Sequence, residues 1–543
     1  MKTLRTSRLV RGLLPPVHDM SSRALILTAG SVITMTDTPV SAVVIKDSTI
    51  AFAGTRENAI QRFPRCEIVD YGPRAAILPG FHDAHSHPEI VAENSLYVSL
   101  SAIDSDDRTV LAQRLTARSN QVGPGEWVRA VGFRPGQGRQ QSVIDAHFLD
   151  QVCPRNPVYI THASSHWGVA NSEAMALLGI PVDSAPTGAI YEKLHFDAVF
   201  PALAEGQPRC PRAPEAAIAA NLRGLLRQYA SLGITSTVDA LAWPGSYALY
   251  QQLAQEEGLP VRVGLLIAHQ HLKSIAGFAD RSDNDLLRVI GVKLFADGAL
   301  SGGTCLVDEP YSNTQDYNGD EVLGEDSLAS AIEEVLDAGH SPAIHANGDL
   351  AVHRVLGAFE RHRDRARELG ARLRIEHCSL VRQADLPRMQ SLGVIPVLFG
   401  TFIGVHGDLL LSLYGPERAE RLIAARSLLD AGLVVAASSD SPAAPVAPLQ
   451  GIQDLVTRRT SSGHKFARRQ SISVTEAIGL YTVGAAHAAG EHHRIGRIQS
   501  GLEADLVVLA DDPRAVSSES ISDVEVIATW MAGQQTWSAD NGT

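Results

Sequence analysis

Two histidines one residue apart, His85 and His87, close the segment Ile77-Leu78-Pro79-Gly80-Phe81-His82-Asp83-Ala84-His85-Ser86-His87. An apolar run of this kind reads as a strand, and alternate residues of a strand project from one face. Two imidazoles on one face can grip a single ion, and imidazole suits zinc and related divalent metals. Alone the pair is a weak signal in a chain with 20 histidines. Four later residues strengthen it. Lys293 lies inside the apolar run 288–295. A buried ammonium is costly and repels a cation. Its CO2 adduct, a carbamate, is an anion whose two oxygens can bridge two cations. A lysine paired with a carboxylate such as Asp297 is the structural alternative. His345 ends the next strand, in His345-Ala346-Asn347-Gly348-Asp349; His377 ends another, in Glu376-His377-Cys378; Asp440 ends a later one, in Ser438-Ser439-Asp440-Ser441-Pro442. Catalytic groups in parallel α/β barrels gather at the C-terminal ends of the strands. Five strands in series that each deliver a ligand-type residue to that end point to one metal centre.

The elements that must position these residues follow from the texture of the chain. Residues 24 to 54 form short β-rich runs punctuated by Gly and Asp, and the same texture returns at 496–501, 504–510 and 524–530. The two stretches, 23–75 and 496–540, are expected to make one split β-sandwich, since chain termini often lie close together. Between them, apolar strands at 233–239, 288–295, 341–345, 373–377 and 433–438 alternate with helical segments at 214–231, 326–338, 350–368 and 417–431. That alternation implies βα units and a (β/α)8, TIM-like barrel over residues 76–495. Residues about 90 to 210 fit the rhythm poorly and read as an insertion capping the barrel mouth.

At 543 residues, 45% apolar and 20% charged, the chain can bury a large core plus a smaller domain. Its net charge of -13 argues against nucleic acid and anionic membranes as partners. Five scattered cysteines without CxxC spacing fit free thiols in a reducing compartment, so a cytoplasmic protein is expected. No run is long and apolar enough to span a membrane. Residues 1–22 carry Lys2, Arg5, Arg8 and Arg11 before any acid. They read as a disordered or targeting tail, with Met20 as an alternative start.

The strings PGFHDAHSH, GVKLFADG, HANGD, RIEHC and SSDSP, in that order, resemble the amidohydrolase superfamily from about residue 24 to 535. The chain is most similar to the branch containing N-substituted formamide deformylases, through KLFADG, HANGD, the cap segment with Ser165-His166 and Asn171-Ser172, and Gly501-Leu502-Glu503-Ala504-Asp505-Leu506-Val507. The resemblance implies one or two divalent metal ions, zinc before others. His85 and His87 would hold the more buried ion, and a carbamylated Lys293 would bridge. His345 and His377 would hold the more exposed ion, and Asp440 would contact metal and act as general base. It implies cleavage of a C–N bond in a small N-substituted formamide, amide or cyclic amide by attack of metal-bound hydroxide, and a homodimer by family habit. A heterocycle deaminase is the alternative enzyme, and a non-catalytic scaffold on the same fold is the alternative class. The complete ligand set argues against the scaffold.

His166, in the cap segment, is a candidate hydrogen-bond donor to substrate and equally a polar cap residue. Asp349 reads as an N-cap or support for a ligand, Asp297 as support for Lys293, Cys378 as packing, His82 as structural, and His492-His493 as a surface turn. The Gly-rich loop 398–406, with Phe399 and Phe402, is expected to line an apolar pocket or act as a lid, joined by Trp167 and the stretch 306–311.

Overall fold

The computed structural model describes residues 24–100, 107–133, 144–203, 210–275, 285–312, 314 and 316–539. The expected tail 1–22, with Met20, lies outside them.

Eight parallel strands form one sheet in sequence order. They are β1 (Phe81–Ser86), β2 (Ile234–Ala242), β3 (Arg262–Ala268), β4 (Leu287–Phe295), β5 (Pro342–Ala346), β6 (Arg374–His377), β7 (Ile395–Phe399) and β8 (Ala436–Ser438). Strands covered on both faces read as continuous apolar runs; all nine residues of β2 are buried. The helices between them present one apolar stripe each. In Glu325–Asp337 the buried positions are Leu328, Ala329, Ala331, Ile332, Val335 and Leu336, the spacing of one helical face. The expected barrel is therefore present.

First and last strands meet at the mouth. The Asp440 N–H donates to the His85 carbonyl (2.8 Å) and the His87 N–H donates to the Ser441 carbonyl (2.9 Å). Below them the Asp83 carboxylate on β1 accepts the backbone N–H (2.9 Å) and the hydroxyl (2.6 Å) of Ser439. Burial pushes the Asp83 carboxyl up to about 6 against these bonds. Asp83→Ala strands two buried donors at this seam, and the expected loss is about 2–4 kcal/mol of unfolding free energy for metal-free protein. Urea unfolding checks it; a loss under about 1 kcal/mol contradicts the seam's role.

Two smaller sheets flank the barrel. One has four strands in the order Thr49–Gly54, Ala42–Lys46, Leu25–Thr28, Glu67–Asp70. The other has five, Ser31–Val32, Ala76–Pro79, Leu506–Leu509, Val526–Met531 and Gln534–Ser538, and so mixes early and late parts of the chain. Leu25, Val43, Ile45 and Ile77 share one buried cluster with Leu506, Val508 and Trp530.

Between β1 and β2 runs a third, mixed sheet in the order Ala189–Tyr191, Trp167–Ala170, Val158–His162, Val128–Phe133, Val98–Ser99. The helix Glu192–Val199 follows its last strand and brings Phe196 against Phe295 of β4.

The expected helix 417–431 is not one element. The helix Phe402–Ala419 ends within it, Ile423 takes a left-handed φ of 51°, and Ala425–Asp430 starts afresh. The expected helix 350–368 is likewise two, Asp349–Arg361 and Arg363–Leu369.

Candidate metal centre

The six strand-end residues converge at the barrel mouth. Lys293 Nζ lies 3.4 Å from His85 Nε2. Asp440 Oδ1 lies 3.5 Å from His85 Nε2 and 3.3 Å from His87 Nε2. Donors about 2.1 Å from one tetrahedral ion stand about 3.4 Å apart, so the spacings of Asp440 Oδ1 from the two imidazoles suit a single shared cation. Potential ligand atoms of His85, His377 and Asp440 all lie within 4.8 Å of one another. The His377 ring is 4.6 Å from that of His85 and 4.6 Å from that of His345. Nδ1 of His87 and Nδ1 of His377 are buried without a hydrogen-bond partner. Orphaned imidazole nitrogens beside a carboxylate and a lysine make a donor set that fits a divalent metal.

Backbone geometry aims two of these groups. His377 and Asp440 take left-handed φ values of 71° and 54°, which turn their side chains at the strand ends. Such conformations are costly for non-glycine residues and persist at functional sites. Gly348, after His345, packs so tightly that a Cβ would fall 1.8 Å from the Leu306 carbonyl.

Support comes from inside the barrel. His85 Nδ1 makes a short hydrogen bond to the Glu376 carboxylate, which leaves Nε2 with its lone pair toward the mouth. Arg374 grips Glu376 bidentately through Nε (2.7 Å) and Nη2 (2.9 Å), and Nη2 also donates to the Ala84 carbonyl (2.9 Å). His345 Nε2 lies 3.0 Å from the Gly298 carbonyl, and the His377 ring stacks on Phe399 at 4.3 Å. Burial, then the Lys293 charge, drives the His85 pKa well below its ordinary value; His345 shifts down for the same causes. His377 falls through burial and then the neighbouring His345. These rings are therefore neutral, the form that binds metal. Burial lowers Lys293 to about 8 despite the Glu376 and Asp440 charges. Arg374 and Glu376 carry this support and were not singled out from sequence; two charges two apart in a buried strand were the available sign.

Other expectations are revised. Asp297 does not pair with Lys293; its carboxylate accepts the backbone N–H groups of Leu306 (2.9 Å), Asn347 (3.0 Å) and Gly348 (2.8 Å), and burial pushes it up to about 7. Gly348, not Asp349, is the N-cap of the helix Asp349–Arg361. Asp349 accepts from the Asp308 N–H (3.0 Å) and from Arg421 (3.3 Å). Cys378 is fully buried.

A cavity opens over the centre, lined by all six of the strand-end residues. His166 reaches it from the cap, 5.4 Å ring to ring from His345, with Nδ1 3.0 Å from Glu192. Burial opposes the charged ring, but Glu192 outweighs it and the His166 pKa is raised. The cavity's apolar wall is Phe196, Phe200, Leu203, Leu241 and Phe295. Phe399, Phe402, Trp167 and the stretch 306–311 do not line it. Phe399 and Phe402 stack at 3.6 Å and pack beneath His377, because the expected lid loop begins a buried helix at Phe402.

The sequence profile of the amidohydrolase family matches residues 75–537. A putative amidohydrolase, YtcJ, of Bacillus subtilis (strain 168) is 27% identical over 516 residues, covering 91% of this chain and 95% of its own. An N-substituted formamide deformylase of Arthrobacter pascens is 27% identical over 520 residues, covering 91% and 94%. The solved structure of an uncharacterized metal-dependent hydrolase from Pyrococcus horikoshii OT3 shares the fold with a TM-score of 0.73 at 24% identity, covering 91% of this chain and 99% of that one. With its barrel carrying histidines, a lysine and an aspartate to one mouth, the chain belongs to the amidohydrolase family and is a hydrolase acting on carbon–nitrogen bonds.

Proposed function

We propose that the protein hydrolyses the C–N bond of a small N-substituted formamide or related amide. The observation that carries this reading is the apolar wall of Phe196, Phe200, Leu203, Leu241 and Phe295 facing the donor cluster across one cavity. Such a wall suits an aryl or alkyl N-substituent. In this reading His85, His87, Lys293 as its carbamate, His345, His377 and Asp440 would hold one or two divalent ions, and nitrogen and oxygen donors of this kind favour zinc. A bound ion supplies Lewis acidity, lowering the pKa of a water and polarising the substrate oxygen.

The protein's own groups do the rest. Asp440 takes the proton of the attacking water and passes it to the leaving nitrogen. Glu376 fixes the tautomer of His85. Protonated His166 keeps one N–H on Glu192 and donates the other, from Nε2, to the substrate carbonyl oxygen.

This role has a pH signature. Glu192 raises the His166 pKa, so the donor is present below that value and lost as pH rises through it. Glu192→Gln removes the raising charge, and the alkaline fall of kcat is expected to move to lower pH. An unchanged profile contradicts the role of His166.

Activity of metal-loaded protein on N-formyl, N-acyl and cyclic amide panels tests the whole reading. Release of amine from N-substituted formamides is expected. Ammonia release without amine indicates a deaminase, and no turnover on any member sinks the proposal.

A further inference from the structure

A second, smaller cavity lies beside the first and shares Ile90, Phe200 and Leu241 with it. One layer of side chains therefore separates it from the donor cluster. Its remaining lining is unlike the first. It includes Arg129, Thr161, Arg212, Glu89 and Glu93.

The two cations and two acids there balance in number, but they are unevenly paired. Arg212 is committed to both acids, at 2.7 Å from Glu89 and 2.8 Å from Glu93. Glu93 also accepts the Tyr97 hydroxyl. Arg129 has no carboxylate within ion-pair distance among the described residues, although it is only 8% exposed. Its guanidinium lies over the Tyr97 ring at 4.6 Å and gives Nη1 to the Pro211 carbonyl at 3.2 Å. Its Nε has no partner. Neither does the hydroxyl of Thr161, 5% exposed on the neighbouring strand. The Glu93 charge steadies Arg129 from outside ion-pair distance, but a buried guanidinium N–H and a buried hydroxyl that bond to nothing are both costly to leave unsatisfied. Both groups line the same cavity, and a carboxylate has an oxygen to offer each.

We propose that this second chamber binds a carboxylate at the far end of the substrate. Arg129 and Thr161 are its recognising groups, and the apolar body of the substrate packs against Phe200 and Leu241 between the chambers. The inference rests on the hydrolase reading above and narrows it. The substrate class becomes N-substituted formamides whose apolar N-substituent ends in a carboxylate. Loss of one charged hydrogen bond in a buried site reduces recognition by about 10- to 100-fold.

The test uses metal-loaded holoenzyme and a matched pair, N-formyl-4-(aminomethyl)benzoate and N-formyl-4-methylbenzylamine. Wild type is expected to prefer the carboxylate in kcat/KM by about tenfold or more. Arg129→Gln should erase that preference and leave the methyl compound within about twofold. Thr161→Val removes a hydroxyl that bonds to nothing in the protein, so it keeps the fold, and should cut the preference several-fold through KM. Calorimetric binding of benzoate should follow the same order. Turnover of the methyl compound with no preference for its partner overturns the chamber's assignment and spares the hydrolase reading. Benzoate binding that depends on Arg129, with neither compound hydrolysed, upholds the chamber and sinks the formamide reading. Benzoate binding equal in wild type and Arg129→Gln overturns the chamber.

Discussion

Asp440→Asn should leave metal bound and lower kcat by about 10²- to 10⁴-fold, the range that a positioned proton-transfer group contributes. The substitution isolates proton transfer for a structural reason. Residue 440 sits at a φ of 54°, in the left-handed region. Asparagine tolerates that region better than alanine, so the backbone turn at the end of β8 survives. An amide oxygen still faces Nε2 of His85 and His87, where Oδ1 of the acid lies 3.5 and 3.3 Å away. What is lost is basicity. Elemental analysis for bound metal, alongside single-turnover rates, separates the two effects. Undiminished turnover with metal in place would falsify the assignment of Asp440 as base.

The second large effect lies deeper. Arg374→Met leaves the Glu376 carboxylate buried without its bidentate partner, and removing one member of a buried pair costs about 3–5 kcal/mol. Both residues are at most 1% exposed, so solvent does not screen the loss. The Ala84 and Ala488 carbonyls lose their donor as well. Glu376→Gln is milder for the fold and informative for the site. It weakens the bond that orients His85, and metal affinity is expected to fall about 10- to 100-fold. Denaturant melts of metal-free protein read the first effect, and a competitive chelator titration reads the second. A stable Arg374→Met protein with unchanged metal affinity in Glu376→Gln removes the pair from any role at the centre.

The strand-end residues were legible because a parallel barrel puts functional groups where apolar runs stop. His345 and His377 each close such a run, and Lys293 interrupts one. The partners of those residues were less legible. Glu376 and His85 are 291 positions apart and meet only because β6 and β1 both face the barrel interior. Glu192 stands 26 positions from His166, at the start of a cap helix whose pairing depends on a mixed sheet. The loop after β7 was misread for a different reason. Glycines at 400 and 404 suggested a pocket-lining loop or lid, yet a side chain at either would collide with Tyr481 or Asp454, so glycine serves close packing there. The walls of the cavity come instead from Phe196 and Phe200, in a segment whose period gave no clear helix.

The sheet that joins Ala76–Pro79 to Leu506–Leu509 pairs Ile77 with Val508. During synthesis the early strand leaves the ribosome with one edge unpaired, and its neighbour on that edge is made only after every barrel strand has emerged. Chains grow at about 5–20 residues per second, so that edge waits tens of seconds. The newborn protein must therefore shelter it, through a chaperone or through transient burial on the growing barrel, and nascent chains stalled before residue 506 should be captured by trigger-type holdases more strongly than full-length ones.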